Sequence, residues 1–304
     1  MKNYTNPIIK NEKTGKVADP YVLKVGEYYY HCYSISGVRE DAGVYLARSK
    51  ELWNIGEGET KRVFKTPGKE TVWDHWYAPE LHRIDGVWYI YGAPIINENG
   101  IHCMSVLENK SDDPMEDYIN LGMVKGLENR WCIDGTVFEH EGEKYFVWAG
   151  ESAHLRIAKM DGADSVTEPH VSIARPELPF ETKVNLIIEG PAVLKRNGKI
   201  HIVYSANDSR SDDYCLGVIT YEKGDVMNLE NWVKRQEVSF AKTDKIFGPG
   251  HCSFTTVEED GKDVDYIVYH ANLTSGDNWK DRNVFIQPFA WDENDMPVFG
   301  TPQF

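Results

Sequence analysis

The carboxylate of Glu189 stands in an apolar part of the sequence where a charged group is unexpected. Apolar residues 186–188 precede it, and residues 192–194 follow the Gly190-Pro191 step. An unpaired carboxylate in such surroundings costs several kcal/mol or takes up a proton. The segment alone leaves two readings open: a strand-end residue whose carboxylate reaches water, or a group that does acid–base chemistry.

Four other polar residues stand in comparable places, six to ten residues before a glycine that begins an aromatic-rich segment. Together with Glu189 the set is Asp19, Glu80, Asp134, Glu189 and His251. If these side chains converged, the like charges would raise the pKa of at least one carboxyl group. A raised pKa is how a protein obtains an acid and a base at the same pH. The set therefore predicts acid–base chemistry, provided that the fold brings the five side chains together.

The elements that could position these residues repeat along the chain. Five glycines, spaced by 60, 56, 56 and 63 residues, each begin a short aromatic-rich strand, and another short strand precedes each of them. The glycines are Gly26, Gly86, Gly142, Gly198 and Gly261. Each pair of strands is typical of a β-hairpin. A period near 58 residues leaves room for two more strands, which predicts an all-β fold, a five-bladed β-propeller with four-stranded blades.

In a propeller the first strand of each blade lines the central channel, so the five polar side chains would meet at one mouth of that channel. A β-sandwich also contains many short strands, but it would not produce a five-fold period over about 250 residues. We therefore interpret residues 1–304 as a single propeller domain with its active site at one mouth.

Composition and charge exclude several classes of partner. The net charge of −15 disfavours nucleic acids and anionic membranes and is compatible with a small neutral ligand. The five cysteines show no CxxC spacing, which favours reduced thiols over disulfides or a zinc site. No apolar run has the length of a membrane span. The first residues lack the hydrophobic core of a signal peptide, so we expect a cytoplasmic protein.

Several motifs resemble those of one enzyme family, and they occur in the same order. They are "ADP" at residues 18–20, "YAPELH" at 77–82, "IDGTVF" at 133–138, "IEGPAVLKRNGK" at 188–199 and "GPGHCSF" at 248–254. This order resembles glycoside hydrolase family 43. The ending "DRNVFIQPFAWDENDMPVFGTP" is similar to that of the exo-acting α-L-arabinofuranosidase branch. The resemblance extends from about residue 6 to residue 302.

The resemblance implies hydrolysis with inversion by two carboxyl groups and a third that supports them. Asp19 would be the general base that activates water, and Glu189 the general acid that protonates the leaving oxygen. Asp134 would orient Glu189 and raise its pKa. Inverting enzymes hold the two carboxyl groups roughly 6.5–9.5 Å apart, and opposite walls of a propeller channel offer such a gap. The implied reaction releases terminal α-L-arabinofuranose from arabinan- or arabinoxylan-derived oligosaccharides.

The resemblance also implies residues that bind the sugar. Tyr77 takes the position of a tryptophan in the family, and Trp76 would replace it if the start of the strand were bulged. Arg282 matches an arginine that contacts sugar hydroxyls or the general acid, although a solvated surface arginine is the alternative. Trp73 is a candidate for stacking on a sugar face, although tryptophans are more often core residues.

For two of the five channel residues the resemblance implies a supporting role. His251 would face a structural calcium or sodium ion on the propeller axis, bound mostly through water. One imidazole is a weak ligand for a hard cation, so a hydrogen-bonded channel histidine is the alternative. Glu80 has no catalytic role in the family and is interpreted as a structural carboxylate. The chemistry itself would need no cofactor.

Three other functions fit the same scaffold. A β-xylosidase would use the same propeller and carboxyl groups, and an endo-arabinanase would need an open groove across the face. A carbohydrate-binding propeller without activity is the alternative from another class. The presence of Asp19, Asp134 and Glu189 together argues against that last reading. The sequence does not determine the oligomeric state.

Overall fold

The computed structural model describes residues 4–11, 16–36, 40–66, 74–95 and 100–304. The strands of these residues form five sheets and a small C-terminal hairpin. The first strands of the five sheets pack side by side in chain order, and the fifth packs against the first, which closes a ring. The predicted five-bladed β-propeller is therefore confirmed. Trp73, a candidate from the sequence, lies outside the described residues.

The first two blades are regular four-stranded antiparallel sheets. Blade one comprises β1 (Tyr21–Val25), β2 (Tyr28–Ile35), β3 (Gly43–Ser49) and β4 (Glu59–Lys65). Blade two comprises β5 (Asp74–Ile84), β6 (Val87–Ile95), β7 (Ser105–Asn109) and β8 (Ile119–Met123).

The third blade has a divided outer edge, because two short strands both pair with its third strand. Blade three comprises β9 (Cys132–His140), β10 (Glu143–Gly150), β11 (His154–Gly162), β12 (Ser165–Val166) and β13 (Val171–Ala174). Blade four comprises β14 (Ile188–Arg196), β15 (Lys199–Ala206), β16 (Cys215–Tyr221) and β17 (Trp232–Lys234). Blade five comprises β18 (Phe247–Glu259), β19 (Lys262–Asn272) and β20 (Arg282–Pro288).

The remaining regular elements are short. The C-terminal hairpin consists of β21 (Ala290–Trp291) and β22 (Pro297–Val298). In the part of the chain that the structure describes, three 3-10 helices occur in the connections, at Leu52–Glu57, Glu151–Ala153 and Leu229–Asn231. Among the described residues, no helix is long and apolar enough to cross a membrane.

The repeated glycines occupy the turns between the first two strands of the blades. In blade four, Arg196 pairs with Lys199 across a two-residue turn. Both turn residues, Asn197 (φ 46°) and Gly198 (φ 86°), have the left-handed backbone that a type I′ hairpin requires. This turn chemistry explains why a glycine recurs at the period of the blades.

The N-terminal segment completes blade five, which has only three strands from the C-terminal part of the chain. Ile9 forms an antiparallel bridge with Val284 of β20. The side chain of Asn6 exchanges two hydrogen bonds with the backbone of Ile286, at 2.7 and 3.0 Å. The first and last parts of the chain are thus joined in one sheet, and this sheet closes the ring.

Aromatic side chains of the repeated strands pack between neighbouring blades. Trp88 and Trp148 are both about 1% exposed. Tyr91 of β6 lies 5.3 Å, ring centre to ring centre, from Phe146 of β10. Large buried aromatic surfaces stabilise such contacts, and they hold the inner strands in fixed positions around the channel. All five cysteines are buried and free.

Candidate active site

A backbone irregularity recurs where the inner strands approach the mouth of the channel. β5, β9, β14 and β18 each contain a β-bulge, in which two residues of the strand lie opposite one residue of the neighbouring strand. The first bulged residue has positive φ in every case, and Asp19 has the same backbone just before β1. These residues are Asp19 (49°), Ala78 (43°), Asp134 (56°), Gly190 (55°) and His251 (43°). Bulges re-aim side chains, and strained backbone of this kind is common at functional sites.

The repeated bulge corrects the sequence-based alignment of the five polar residues. Asp19, Asp134 and His251 do share one position of the repeat. Glu189 comes one residue before that position, and Glu80 comes two residues after it. The sequence alignment was wrong for these two because it counted back from the turns, and strands of different length separate the turns from the bulges. Glu80 lies below the mouth, where its Oε2 is 2.9 Å from Nε2 of His82.

The channel mouth opens into a cavity of about 740 Å³. Six of the residues predicted from the sequence line it: Asp19, Tyr77, Asp134, Glu189, His251 and Arg282. Tyr77 is 38% exposed, and its ring stacks on His102 at 4.5 Å. Trp76 is 1% exposed and packs against Phe64 in the core. The start of this strand is irregular between Asp74 and Tyr77, but Trp76 remains in the core, so its alternative placement in the sugar site is wrong.

Three side chains approach the carboxylate of Asp19, and all of them reach the same oxygen. The atoms nearest to Oδ1 are Nδ1 of His251 at 3.3 Å, Nδ1 of His270 at 3.5 Å and Nη1 of Arg282 at 3.5 Å. The backbone N–H of Asp19 donates to Nδ1 of His270 at 3.2 Å. His270 is buried, and burial lowers its pKa well below the usual value, with Arg282 adding to the effect. A neutral His270 that accepts at Nδ1 carries its proton on Nε2.

Glu189 lies on the cavity wall and receives a hydrogen bond from a buried tyrosine. The hydroxyl of Tyr214 donates to Oε1 of Glu189 at 2.8 Å. Burial raises the pKa of Glu189, and the negative charge of Asp19 adds to this effect. The Tyr214 hydrogen bond and the positive charges of His251 and Arg282 act in the opposite direction. The net result is a carboxyl group that keeps its proton at higher pH than a surface glutamate does.

Asp134 is 5% exposed and lies beside the residue that follows Glu189. Its Oδ2 accepts a hydrogen bond from the backbone N–H of Gly190 at 3.0 Å. Burial raises the pKa of Asp134 to about 7; the nearby carboxyl groups of Glu189 and Asp19 add to the shift, and His251 opposes it. Since two interacting carboxyl groups are less easily ionised together than singly, a negative charge on either of these groups disfavours ionisation of the other.

His251 faces three carboxyl groups of the site. Burial lowers its pKa, but the carboxyl groups of Asp19, Asp134 and Glu189 raise it, and the net shift is upward. Within the described ranges, no group of three or more His, Cys, Asp or Glu side chains could hold a metal ion. Protein side chains alone therefore do not form the cation site that the resemblance implies.

Three aromatic residues of the site were not found from the sequence: Trp131 and Trp279, which line the cavity, and Tyr214, which contacts Glu189. Trp279 is 52% exposed at the rim of the cavity, and its indole N–H donates to Oγ of Ser209 at 3.1 Å. The guanidinium groups of Arg210 and Arg282 lie over its ring at 5.7 and 5.5 Å. Trp279 could have been predicted from the sequence, because it lies close to Arg282. Tyr214 offered no such signal, because it lies in the loop before β16 and reaches Glu189 only through the fold.

Comparison with known proteins gives a consistent picture. The family described as "Glycosyl hydrolases family 43" matches residues 4–297. The chain belongs to this family. Enzymes of family 43 need no cofactor for their chemistry.

The relatives of the chain within family 43 carry related names. An α-L-arabinofuranosidase from Humicola insolens is 32% identical, over 99% of this chain and 64% of that protein. An extracellular exo-α-(1→5)-L-arabinofuranosidase from Streptomyces chartreusis is also 32% identical, over 88% of this chain and 82% of that protein. The crystal structure of an α-L-arabinofuranosidase from Lactobacillus brevis has a TM-score of 0.89 at 31% identity, and covers 99% of this chain and 97% of that one. The chain thus spans less than two thirds of the Humicola protein.

The comparison contradicts the expected cytoplasmic location. The Streptomyces relative is named as an extracellular enzyme, which points to secretion. The expectation rested only on the composition of the first residues, and those residues do not decide where the folded protein acts.

Proposed function

We propose that the protein is an exo-acting α-L-arabinofuranosidase that hydrolyses its substrate with inversion. The observation that carries this proposal is the set of three carboxyl groups at one cavity, two of them with raised pKa. Such a set can supply an acid and a base at the same pH. The names of the family 43 relatives support the sugar, since the proteins from Humicola, Streptomyces and Lactobacillus are all described as arabinofuranosidases.

In this proposal Asp19 activates the attacking water. The contacts from His251 and Arg282 both reach Oδ1 and fix the orientation of the carboxylate, while His270 accepts a hydrogen bond from the backbone N–H of Asp19. We propose that Oδ2 accepts the proton of the water as its oxygen attacks the anomeric carbon. Arg282 then has a second role, because its guanidinium lines the cavity where the sugar hydroxyls would lie.

Glu189 protonates the glycosidic oxygen as the bond to the anomeric carbon breaks. A general acid needs a pKa high enough to keep its proton at the working pH, and burial supplies this for Glu189. Asp134 supports the acid in two ways. Its carboxyl group and that of Glu189 oppose each other's ionisation, and its bond to the N–H of Gly190 fixes the backbone next to Glu189. Tyr77 would form the aromatic floor for the sugar ring.

The proposed substrates are small neutral oligosaccharides derived from arabinan or arabinoxylan. A cavity of about 740 Å³ is in the range of small-molecule sites. A strongly acidic protein does not repel neutral sugars, whereas it repels polyanionic polymers. The exo mode is supported by the name of the Streptomyces relative.

A panel of aryl glycosides compared under one condition tests this function. We expect the α-L-arabinofuranoside to be hydrolysed at least about 10-fold faster than the β-D-xyloside, with no turnover of a galactoside. Faster hydrolysis of the xyloside would identify a β-xylosidase instead. Rapid shortening of linear arabinan, with little release of free arabinose, would identify an endo-arabinanase. Binding without turnover of any glycoside would identify a carbohydrate-binding propeller.

The axial cation is a separate proposal. We propose that a calcium or sodium ion, held mainly by water, lies on the propeller axis near His251. Metal analysis of protein purified without chelator is expected to find about one ion per chain, and a chelator is expected to lower the thermal stability. No bound ion, together with unchanged stability and activity in chelator, would remove this proposal.

A further inference from the structure

A directed series of hydrogen bonds ends on the carboxyl group of Glu189. The backbone N–H of His251 donates to Oγ of Ser205 at 2.8 Å. Because this oxygen accepts a hydrogen bond, the hydroxyl hydrogen of Ser205 is left to donate, and Ser205 lowers the pKa of its neighbour Tyr214 against the larger rise that burial causes. Tyr214 in turn donates its own hydrogen to Oε1 of Glu189 at 2.8 Å. Each group thus donates to the next, starting from a backbone N–H that can only donate.

The ring of Tyr214 is fixed in this arrangement. Tyr214 is 0% exposed, and its ring is stacked on His270 with centres 5.8 Å apart and planes 8° apart. The ring also lies against the backbone of Gly250, where a Cβ atom would lie 2.2 Å from a ring carbon. Ser205 is also 0% exposed. Packing on the ring and the bond from Ser205 hold the hydroxyl of Tyr214 toward Glu189.

We propose that Tyr214, oriented by Ser205, is a positioning residue that assigns the transferable proton of Glu189 to its Oε2 atom. The reason is geometric: Oε1 is the acceptor for the Tyr214 hydroxyl, so the carboxylic proton resides on the other oxygen. This inference rests on the proposed function, in which Glu189 is the general acid. It specifies which oxygen of Glu189 carries the proton for the substrate, and it identifies Tyr214 as the residue that determines this.

The proposed step balances as follows. The O–H bond at Oε2 of Glu189 breaks, and the proton passes to the glycosidic oxygen as that oxygen leaves the anomeric carbon. Water attacks the same carbon, and its proton passes to Asp19. Negative charge develops on Glu189 during this transfer and spreads over both carboxylate oxygens. The hydrogen bond from Tyr214 to Oε1 becomes a bond to a charged acceptor and strengthens in the transition state.

The Tyr214→Phe variant tests the proposal, because it removes only the hydroxyl. The hydrogen bond from Tyr214 lowers the pKa of Glu189, so its loss should move the basic limb of the pH–rate profile to higher pH. On an arabino-oligosaccharide, kcat should fall by about 10- to 100-fold, the usual value of a hydrogen bond to a charged group. On a dinitrophenyl arabinofuranoside, which needs little protonation, the loss should be less than about 3-fold. KM should change little, since the hydroxyl does not line the cavity.

Ser205→Ala provides a second variant, in which the tyrosine hydroxyl remains but is no longer oriented. The same changes are expected, in the same direction and smaller. Tyr269→Phe is the matched control, since Tyr269 is equally buried and its hydroxyl donates to Oε1 of Gln287 at 3.1 Å instead of to a carboxyl group of the site. This control should leave the pH profile and both rates unchanged. Circular dichroism and thermal unfolding are measured for each variant.

The double variant with Glu189→Gln separates this proposal from the proposed function. If Glu189 is the acid, Tyr214→Phe should cause no further loss in the Glu189→Gln background. A leaving-group dependence in Glu189→Gln, together with an unmoved basic limb in folded Tyr214→Phe, would overturn the positioning role and leave the function intact. Equal losses on both substrates in Glu189→Gln would overturn the function itself. Loss of folding in both Tyr214→Phe and Ser205→Ala would assign these hydroxyls a structural role and also overturn the proposal.

Discussion

At the scale of single residues, the site depends on the carboxyl groups of Asp134 and Glu189, whose pKa values are raised by burial. The sequence predicted both of them from their place in the five-fold repeat and from the resemblance to family 43, whereas the apolar surroundings of Glu189 alone left two readings open. It did not identify Tyr214, His270 or Ser205, which modify the site through contacts across the fold. Residue type and place in the repeat thus predict candidate acids, whereas their hydrogen-bond partners depend on tertiary contacts that a single sequence does not encode locally.

The first prediction at this scale separates the acid from the base. Glu189→Gln should lose on the order of 10²–10⁴-fold in kcat on an arabino-oligosaccharide, because a poor leaving group must be protonated. On a dinitrophenyl arabinofuranoside the loss should be much smaller. Asp19→Asn should reduce both rates to a similar extent, since water must be activated whichever group leaves. Steady-state kinetics on both substrates, with circular dichroism as the control for folding, provides the measurement. Equal losses on both substrates in Glu189→Gln would exclude it as the acid.

The second prediction concerns pH. A negative charge on Asp134 disfavours ionisation of Glu189, so Asp134→Asn should lower the pKa of Glu189. The acid is then lost at lower pH, and the basic limb of the pH–rate profile should move in that direction. The two limbs report values for the interacting set, so the direction of the shift is the measured quantity. Asp85→Asn, which removes an exposed partner of Lys144, is the control and should leave the limb in place. An unmoved limb in a folded, active Asp134→Asn variant contradicts the supporting role of Asp134.

At the scale of elements, the bulges of the inner strands place the site. The sequence predicted the hairpins, because turn glycines and aromatic strands recur at a regular period. It did not predict the bulges, and for this reason the sequence alignment placed Glu80 and Glu189 in the wrong register. A bulge adds one residue to a strand without changing its alternating apolar pattern elsewhere, and the residues with positive φ include Asp19, Asp134 and His251 rather than glycine alone. The local sequence therefore carries little sign of it.

The prediction at this scale uses two glycines that both have positive φ. At Gly190 (φ 55°) an added Cβ would lie 3.1 Å from Nδ1 of His251, whereas at Gly198 (φ 86°) nothing lies within 4 Å. Changing either to alanine should cost about 1–2 kcal/mol of unfolding free energy, from the backbone strain. Only Gly190→Ala should also lower kcat, by about 10-fold or more, because it displaces His251 and the N–H bonded to Asp134. Denaturant unfolding and kinetics measure both effects. Full activity in a folded Gly190→Ala would show that the bulge does not position the site.

At the scale of the whole molecule, the ring is closed by a sheet that joins the two ends of the chain. The period of the repeat predicted the number of blades, because each blade must bury its faces against its neighbours. The closure by residues 6–9 was not predicted, since a short segment without alternation carries no strand signal. We propose that residues 1–304 form one domain that unfolds cooperatively, because an open ring would expose the faces of two blades.

The prediction for the ring concerns Asn6, whose side chain is 5% exposed and bonds to the backbone of Ile286 and of Gln303. Asn6→Ala should lower the unfolding free energy by about 2–4 kcal/mol through the loss of these buried bonds. Asn120→Ala, on the partly exposed edge strand β8, should change it by less than about 1 kcal/mol. Both variants should keep wild-type kcat below their melting temperatures. Two separate unfolding transitions, or an unchanged stability in Asn6→Ala, would contradict the closure of the ring as one unit.

The central claim is that Asp19 and Glu189 act across one water molecule, without a covalent intermediate. Proton NMR of the sugar released from an α-L-arabinofuranoside, recorded in the first minutes before the anomers equilibrate, tests it most directly. Direct attack by water on the face opposite the leaving group requires β-L-arabinofuranose as the initial product, with the α anomer rising only later by mutarotation. Initial appearance of the α anomer would contradict the account, because retention requires a nucleophile that none of these residues is proposed to be.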